Sequence, residues 1–231
     1  MIKRLSVILL FAAVSVWGVT ELPREIGAVR EYVAESEEFH ISEYDAIMRT
    51  VESESGVDWR LLSAIAYTES RFRNDVVSRR GAVGVMQVMP SIGRYFGVDS
   101  EAELANPHNN IRVAAFLLCE IENAVKLPAV TPTKDKIGIV LASYNGGIGH
   151  VSDARRLARA FGEDMNSWIV VSRYLRLKSD PQYYEHEVVK YGRFRDGRHT
   201  TAYVRDVMNR YEYYIRQEER FNAAAAARAE L

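Results

Sequence analysis

The sequence predicts an all-α fold that contains at most a small β element. Apolar residues recur at helical spacing in successive segments of the 231-residue chain. Turn signals such as Asn-Pro and Gly-Gly pairs separate those segments. Only Val83, Val85 and Val88 allow short extended pieces, so we place the β element between Val76 and Val88.

The length and the charge balance narrow the range of partners. A chain of this length builds one substantial hydrophobic core. The 30 basic residues are balanced by 31 acidic ones, so no overall field attracts nucleic acid. The single cysteine, Cys119, excludes an intramolecular disulfide, and the five histidines show no metal-ligand spacing. We therefore predict no nucleic-acid partner, no metal and no cofactor.

Residues 1–19 have the pattern of a signal peptide or an N-terminal anchor. Lys3 and Arg4 precede an apolar run from Leu5 to Val19. The run is shorter than the roughly 20 residues of a comfortable membrane span, and it is typical of a signal peptide. We expect export to the bacterial periplasm or cell envelope, with membrane association if the segment is retained. The alternative is a buried first helix of a cytosolic protein.

Residues 20–56 are predicted to form a helical lead-in to the main domain. The segment up to His40 is polar, and a clearer apolar stripe runs from Ile41 to Val51. Asp58, a side chain suited to an N-cap, then begins the first helix of the main domain. We place that domain at residues 57–216.

The main domain is predicted to be helical, with connections marked by proline, glycine and asparagine. The alanine-rich residues 217–231 are predicted to form a frayed helix end. The other predicted helices are Ser91 to Phe96 after Pro90, a long helix from Asn110, Ile137 to Tyr144, Asp153 to Phe161, Trp168 to Leu175, Pro181 to Tyr191 and Thr200 to Arg220.

One carboxylate, Glu69, lies where an amphipathic helix would normally carry an apolar residue. The apolar residues Leu62, Ile65 and Ala66 recur at i, i+3 and i+4, and Glu69 follows at i+7. Burial on that face disfavours the charged form, so we expect a raised pKa suited to a general acid. The alternative is a frayed helix end with a solvated Glu69.

Polar and aromatic residues interrupt otherwise apolar helices at three places along the chain, and two of these places contain glycine. The places are Glu69-Ser70, residues 84–87 and residues 143–147. Together they favour a cleft in which amides and backbone meet a polar, uncharged ligand such as a sugar. Each residue also has a purely structural interpretation: Ser70 terminates a helix, Gln87 bonds a loop carbonyl, Tyr144 is a core ring and Asn145 is a helix C-cap.

Five short motifs follow one another along the chain: Glu69-Ser70, Gly84-x-Met86-Gln87, Asn106-Pro107, Asn110-Ile111 and Tyr144-Asn145-Gly146. In this order they resemble the soluble-lytic-transglycosylase family of peptidoglycan enzymes, whose fold is like that of goose-type lysozyme. Residues 149–168, with Tyr183-Tyr184 and residues 201–204, are most similar to the catalytic domain of membrane-bound lytic transglycosylases F. The resemblance spans about residues 57–214 and implies a lysozyme-like all-α fold.

The resemblance implies a role for each matching residue. Glu69 matches the family's sole catalytic acid and base, and Ser70 matches the neighbour that helps to orient it. The substrate-binding matches are Met86 and Gln87 in the glycan groove, Tyr144 and Asn145 near the scissile bond, and Tyr203, a late tyrosine that approaches the active site. His199-Thr200 precedes Tyr203 where a Glu-Thr pair is common in the family. The implied partner is the glycan strand of peptidoglycan; no oligomeric state is predicted.

The chemistry that the resemblance implies needs one carboxylate. Ordinary glycosidases use two, and Asp75, the nearest candidate in sequence, lies in a polar, basic loop. In a lytic transglycosylase, one glutamate protonates the oxygen between N-acetylmuramic acid and N-acetylglucosamine. It then removes the proton of the muramic acid's C6 hydroxyl as a 1,6-anhydro ring closes. Two alternatives stay open: a catalytically silent glycan-binding module, and a lysozyme-type hydrolase on the same fold.

Overall fold

The computed structural model describes residues 38–229, and within them the fold is almost wholly helical, which confirms the predicted class. The helices are α1 (Asp45–Ser55), α2 (Trp59–Ser70), α3 (Pro90–Tyr95), α4 (Glu101–Leu104), α5 (Pro107–Val125), α6 (Thr133–Gly146), α7 (Ile148–Ala160), α8 (Trp168–Leu177), α9 (Pro181–Tyr184) and α10 (Gly197–Ala229).

Side-chain caps fix where α2 and α5 begin. The Asp58 carboxylate accepts a hydrogen bond from the main-chain N–H of Arg60 at 2.8 Å, so the predicted cap of α2 is confirmed. The side-chain oxygen of Asn106 caps α5 in the same way, and Pro107 occupies its first turn. As a result α5 begins at Pro107 rather than at the predicted Asn110, and Asn110 lies inside the helix.

The predicted helix from Pro181 to Tyr191 is wrong in its second half, because it ends at Tyr184. The segment that follows is held by a long-range contact instead. The buried carboxylate of Asp153 accepts hydrogen bonds from the main-chain N–H groups of Lys190 and Tyr191, at 2.8 and 2.9 Å. These N–H groups are therefore not available to a helix.

The last helix, α10, is longer at both ends than the prediction of Thr200 to Arg220. It begins at Gly197, where any side chain would overlap the main-chain carbonyl of Leu175. It continues through the alanine-rich tail to Ala229. Alanine has the highest helix propensity, so this part of the tail is helical without packing against the core.

The predicted β element exists only as two isolated antiparallel bridges, which join Val83 to Val77 and to Val88. Gly84, at φ +77°, turns the chain between them. A Cβ atom at Gly84 would lie 2.8 Å from the side-chain nitrogen of Asn110. Only glycine allows both this backbone conformation and this close approach.

The core forms where α2 and α6 are covered by their neighbours. Helix α10 packs against α2, α6 and α8, while α5 packs against α1 and α6, and α7 against α6 and α8. The predicted apolar stripe of α2 is confirmed. Fully buried side chains include Leu62, Ile65, Met86, Ile111, Ile139, Leu141, Leu157 and Leu175.

From His40 onward the described residues form one compact unit. Helix α1, which the sequence analysis assigned to the lead-in of residues 20–56, packs against α2 and α5 within this unit. The predicted leader at residues 1–19 lies outside the described residues, as do residues 20–37 and the last two residues. The domain boundaries 57 and 216 stay predictions. Among the helices that the structure describes, none is both long enough and apolar enough to cross a membrane.

We expect Asp58→Ala to destabilise the fold by about 2 kcal/mol, because it removes a helix cap and bonds to charged and phenolic donors. The Asp58 carboxylate also accepts hydrogen bonds from the side chains of Arg60 and Tyr211. Burial raises the pKa of Asp58, but these bonds outweigh it and hold the pKa below the ordinary 3.8. The stabilisation is therefore present at neutral pH and lost as the pH falls through the lowered pKa.

Urea unfolding of Asp58→Ala, Asp58→Asn and wild-type protein at about pH 7 and pH 3 tests this expectation. Asparagine keeps the acceptor of the cap but loses the charge. We therefore expect the free energy of unfolding of Asp58→Asn to lie between those of wild type and Asp58→Ala. The expectation would be contradicted if the difference in free energy of unfolding between wild type and Asp58→Ala were as large at about pH 3 as at about pH 7.

Candidate active site

Glu69 lies in the last turn of α2, at the point where the buried helix ends. The residue is only partly exposed, and its carboxyl group lies in desolvated surroundings. Burial raises the pKa of Glu69 to about 7, against a smaller lowering effect of the Tyr203 hydroxyl. The predicted direction of the shift is confirmed. The alternative of a solvated, frayed helix end is wrong, because Ser70, the next residue, is buried.

Ser70 fastens the end of α2 to the turn at residues 84–87. Its hydroxyl lies 2.8 Å from the main-chain carbonyl of Val85 and 3.2 Å from that of Ala66, and it donates to these acceptors. This contact fixes the helix end that carries Glu69. Ser70 is also the last residue of α2, so its structural interpretation as the end of a helix is confirmed.

Asn110 completes the same turn, and sequence reasoning missed it. Its side-chain oxygen accepts a hydrogen bond from the main-chain N–H of Met86 at 2.7 Å. Its side-chain nitrogen donates to the carbonyls of Val83 and Leu104, at 2.9 and 3.0 Å. The side chain is completely buried. Asn110 stands in the Asn110-Ile111 motif at a predicted helix start, and its contacts with the turn could not be predicted from that position.

Met86 and Gln87 belong to the turn, and their side chains have different surroundings. The side chain of Met86 is completely buried, so its main chain is the part of the residue that is placed to take part in the site. The side-chain nitrogen of Gln87 donates to the carbonyls of Val76 and Gly84. This is the loop-carbonyl contact that the sequence left as an alternative, and Gln87 keeps part of its surface exposed.

Two tyrosines face the Glu69 carboxyl. The hydroxyl of Tyr144 donates to the main-chain carbonyl of Met86 at 2.9 Å, which joins α6 to the turn. Burial, and then the charge of Glu69, raise the pKa of Tyr144 well above 10, so the phenol keeps its proton. The same two causes, in the same order, raise the pKa of Tyr203.

The hydroxyl of Tyr203 is buried and has no formed hydrogen bond within residues 38–229. It nevertheless lies close enough to the Glu69 carboxyl for the two groups to shift each other's pKa. The two groups are therefore in near contact. A buried hydroxyl aimed at one carboxyl is a donor held ready for the carboxylate form.

Asn145 closes the site on the side of α10. Its side-chain oxygen accepts a hydrogen bond from the hydroxyl of Thr200 at 2.9 Å. Its side-chain nitrogen makes no hydrogen bond to any residue within 38–229, and the residue is partly exposed. Helix α6 continues through Gly146, so Asn145 is not the C-cap, and Gly147 with φ +88° takes that position.

The structure thus brings Glu69, Tyr144 and Tyr203 together, with Asn145 beside them; Ser70, Met86 and Gln87 lie in or on the supporting turn. Among the residues that the structure describes, the causes of the pKa shift of Glu69 are burial and the Tyr203 hydroxyl, and no carboxylate is among them. Asp75 is exposed, and its charge contributes to the raised pKa of Tyr44 rather than to that of Glu69. Within residues 38–229, no group of three acidic, histidine or cysteine side chains is arranged to hold a metal ion.

The helical architecture, with a desolvated glutamate at the end of a buried helix, defines a lysozyme-like domain. The family model described as "Transglycosylase SLT domain" matches residues 47–166, more than half of the chain. The chain belongs to this family, and the resemblance drawn from its motifs is confirmed.

Individual relatives agree with this membership. Membrane-bound lytic murein transglycosylase F of Marinobacter nauticus is 31% identical over 182 residues, which are 79% of this chain and 35% of the relative. The protein of the same name from Thiobacillus denitrificans is 36% identical over 168 residues, 73% of this chain and 34% of the relative. The chain therefore spans about a third of the length of these relatives.

A solved structure shares the fold. An inactive mutant of the lytic transglycosylase Slt from Pseudomonas aeruginosa is 23% identical and superimposes with a TM-score of 0.50. The match covers 76% of this chain and 24% of that one. The similarity is one of fold.

We expect Glu69→Gln to stabilise the protein at alkaline pH by about 1 to 3 kcal/mol. The pKa of Glu69 rises from the ordinary 4.5 to about 7 on folding, so the folded state holds the proton more tightly. The cost of burying the charge is absent below the ordinary pKa and grows as the pH rises through about 7. Glutamine never carries that cost.

Denaturant unfolding of wild-type and Glu69→Gln protein at about pH 4 and pH 8 measures the effect. Glu219→Gln, which changes an exposed glutamate on α10, is the matched control, and its stability relative to wild type should be the same at the two pH values. Equal stability of wild type and Glu69→Gln at about pH 8 would mean that Glu69 is solvated.

Proposed function

We propose that the chain is a peptidoglycan lytic transglycosylase that cleaves the β-1,4 bond between N-acetylmuramic acid and N-acetylglucosamine and leaves 1,6-anhydro ends. One observation carries the proposal: a single desolvated carboxyl, Glu69, has a pKa of about 7 and faces tyrosines rather than a second carboxylate. The relatives named above are lytic murein transglycosylases, which supports the same substrate class.

In the first step Glu69 acts as the general acid. With a pKa of about 7, the carboxyl is roughly half protonated at neutral pH, and its driving force for proton transfer is well matched to that pH. It donates its proton to the oxygen that links the two sugars. The bond from that oxygen to C1 of the muramic acid breaks, and N-acetylglucosamine leaves with the proton.

In the second step the same residue acts as the general base. The Glu69 carboxylate removes the proton from the C6 hydroxyl of the muramic acid, whose oxygen bonds to C1 and closes the anhydro ring. The carboxyl is protonated again at the end, so no water is consumed. The Tyr203 hydroxyl stands near the carboxylate that exists between the two steps and is suited to donate to it.

Within residues 38–229, no carboxylate contributes to the pKa shift of Glu69, which supports ring closure over hydrolysis. An inverting or retaining glycosidase places a second carboxylate roughly 5 to 10 Å from the acid. Here the groups that act on Glu69 are desolvating surroundings and a phenol. Such surroundings also limit the access of water to the reacting carbon.

We propose that the sugar contacts come from the side chains that keep exposed surface. Asn145 offers the N–H groups of its amide, Tyr144 offers an aromatic face, and Gln87 offers its partly exposed side chain. Met86 contributes through its main chain, and Ser70 acts by holding the helix end that carries Glu69. Tyr203 acts on the carboxylate.

We further propose that the protein works in the bacterial periplasm or cell envelope. The support is the signal-like pattern of residues 1–19 and the membrane-bound relatives. If residues 1–19 are retained, they would associate the protein with the membrane. If they are cleaved, the protein would be released.

Product masses separate the proposed reaction from the two alternatives. Purified sacculi digested with the protein should release muropeptides that are lighter by one water than the hydrolysed products, because each carries an anhydro ring. Reducing ends would assign a lysozyme-type hydrolase instead. Binding to sacculi without any release would assign a silent glycan-binding module.

Glu69→Gln should lower the rate of release by about 10² to 10⁴-fold, because it removes the group that transfers both protons. The same digestion measures the rate, and the unfolding curves described above show that the variant is folded. Glu219→Gln serves again as the control and should release products at the wild-type rate. Release by a folded Glu69→Gln variant at close to the wild-type rate would overturn the assignment of Glu69.

A further inference from the structure

A second concave site lies beside the candidate active site, and the proposed reaction does not use it. We call it the arginine pocket. It has a volume of about 420 Å³, and the polar side chains that line it include those of Arg80, Arg193, Arg195, Asp196, His150 and Asn145. This volume falls within the range of small-molecule sites.

The arginine pocket and the candidate active site share a wall. Asn145, Gly146 and Thr200 line the pocket, and the hydroxyl of Thr200 donates to Asn145. Tyr203 lies three residues after Thr200 on α10, about one helical turn away, and reaches Glu69. A ligand that contacts Asn145 at the reacting bond therefore has the pocket directly beside it.

The charge of the pocket is positive. Three arginines line the pocket against one acidic residue, Asp196, which forms an exposed ion pair with Arg80 at 3.3 Å. The guanidinium of Arg193 contacts Ser179 and Tyr184 at the edge of the pocket. Asp196 directly precedes α10, a helix of 33 residues, and His199 and Thr200 in the first turn of that helix also line the pocket. The N-terminal end of a helix carries partial positive charge, which adds to the field of the arginines.

His150 supplies a further hydrogen-bond donor. Its Nδ1 atom lies 3.1 Å from the Nζ atom of Lys178. An ammonium group only donates, so Nδ1 accepts, and the neutral ring carries its proton on Nε2. Burial, and then the charge of Lys178, lower the pKa of His150, so the neutral ring is the form that lines the pocket.

A buried ion pair holds the arginine-bearing segment in place. Lys178 and Asp153 are both completely buried and lie 2.6 Å apart. Asp153 also accepts the main-chain N–H groups of Lys190 and Tyr191, as described above, and the main-chain carbonyl of Lys178 accepts from the N–H of Phe194. Arg193 and Arg195 therefore extend from an anchored segment, which lowers the entropy cost of binding.

The ring of Phe194 stacks on His150 with the ring centroids 4.4 Å apart, which fastens the same segment to α7. The guanidinium of Arg193 donates to the carbonyl of Ser179 and lies over the ring of Tyr184. The pocket is thus built from contacts that exist without a ligand.

We propose that the arginine pocket binds the carboxylates of the peptide stem attached to the muramic acid at the cleaved bond. The inference rests on the proposed function, since it names the part of that substrate that occupies the pocket. Sugar hydroxyls need no cations, whereas guanidinium groups match carboxylates in charge and in planar geometry. The stem is the anionic part of the strand, and it branches from the sugar that must lie next to Asn145. Binding there would hold the reacting sugar in register.

A binding experiment tests the pocket without using catalysis. The probe is the disaccharide N-acetylglucosaminyl-N-acetylmuramic acid with a tetrapeptide stem, which lacks the cleaved bond. Its affinity is measured by calorimetry at low ionic strength and compared with that of the same probe with its stem carboxylates amidated. We expect wild-type protein to prefer the free carboxylates by about three- to tenfold.

Variants of the pocket should move this preference in opposite directions. Arg193→Gln with Arg195→Gln should abolish it, whereas Asp196→Asn should increase it by about threefold, because a competing carboxylate is removed. Arg216→Gln with Arg220→Gln, two exposed arginines of α10 outside the pocket, is the control of equal charge and should keep the wild-type preference. Unfolding curves establish that each variant is folded.

Equal affinity of wild type for the free and the amidated probe would overturn the proposal, as would a full preference in the folded Arg193/Arg195 variant. A preference that disappears equally in the Arg216/Arg220 control would also overturn it, because the effect would then be one of net charge. The binding preference could depend on the pocket arginines in a protein that releases no anhydro products from sacculi. That result would support the proposed role of the pocket and reject the proposed reaction.

Discussion

The turn from Gly84 to Gln87 is the constraint on which the rest of the site depends. Three helices reach it through separate hydrogen bonds: α2 through Ser70, α5 through Asn110 and α6 through Tyr144. Asn110 fills the space that a side chain at position 84 would need. Because each helix is tied to the same few backbone groups, their ends have fixed positions relative to one another, and Glu69 lies on one of those ends.

This fixed geometry allows an ionisable group to be buried without a counter-charge. An isolated buried carboxylate is costly, and a flexible site would relieve the cost by letting Glu69 turn to solvent. The carboxyl instead stays desolvated beside two phenols, and its pKa rises to about 7. In the proposed function, the stability that the protein loses by burying Glu69 is the source of the reactivity that a general acid needs at neutral pH.

The sequence predicted the features that depend on near neighbours along the chain. Periodicity located most of the helices, the cap at Asp58 followed from residue type, and Glu69 stood out against its own apolar stripe. The hydrogen bonds of Asn110 and Asp153 could not be predicted in this way, since each joins segments more than twenty residues apart. Those two residues decide the shape of the turn and the end of the predicted helix at Pro181.

The same division explains why the arginine pocket was not visible in the sequence. Arg193 and Arg195 stand in a basic stretch that, on sequence alone, is more typical of a solvated surface loop than of a site for glycan-linked carboxylates. Only the buried contacts of Lys178 and Asp153 place that stretch beside Asn145. The proposed reaction relies on one carboxylate, and such a reaction would have little local means of orienting the sugar. Contacts with a remote part of the substrate can supply that orientation, and their binding energy is then spent on positioning the reacting bond. A rigid cationic pocket one helical turn away from Tyr203 is in the right place to supply it.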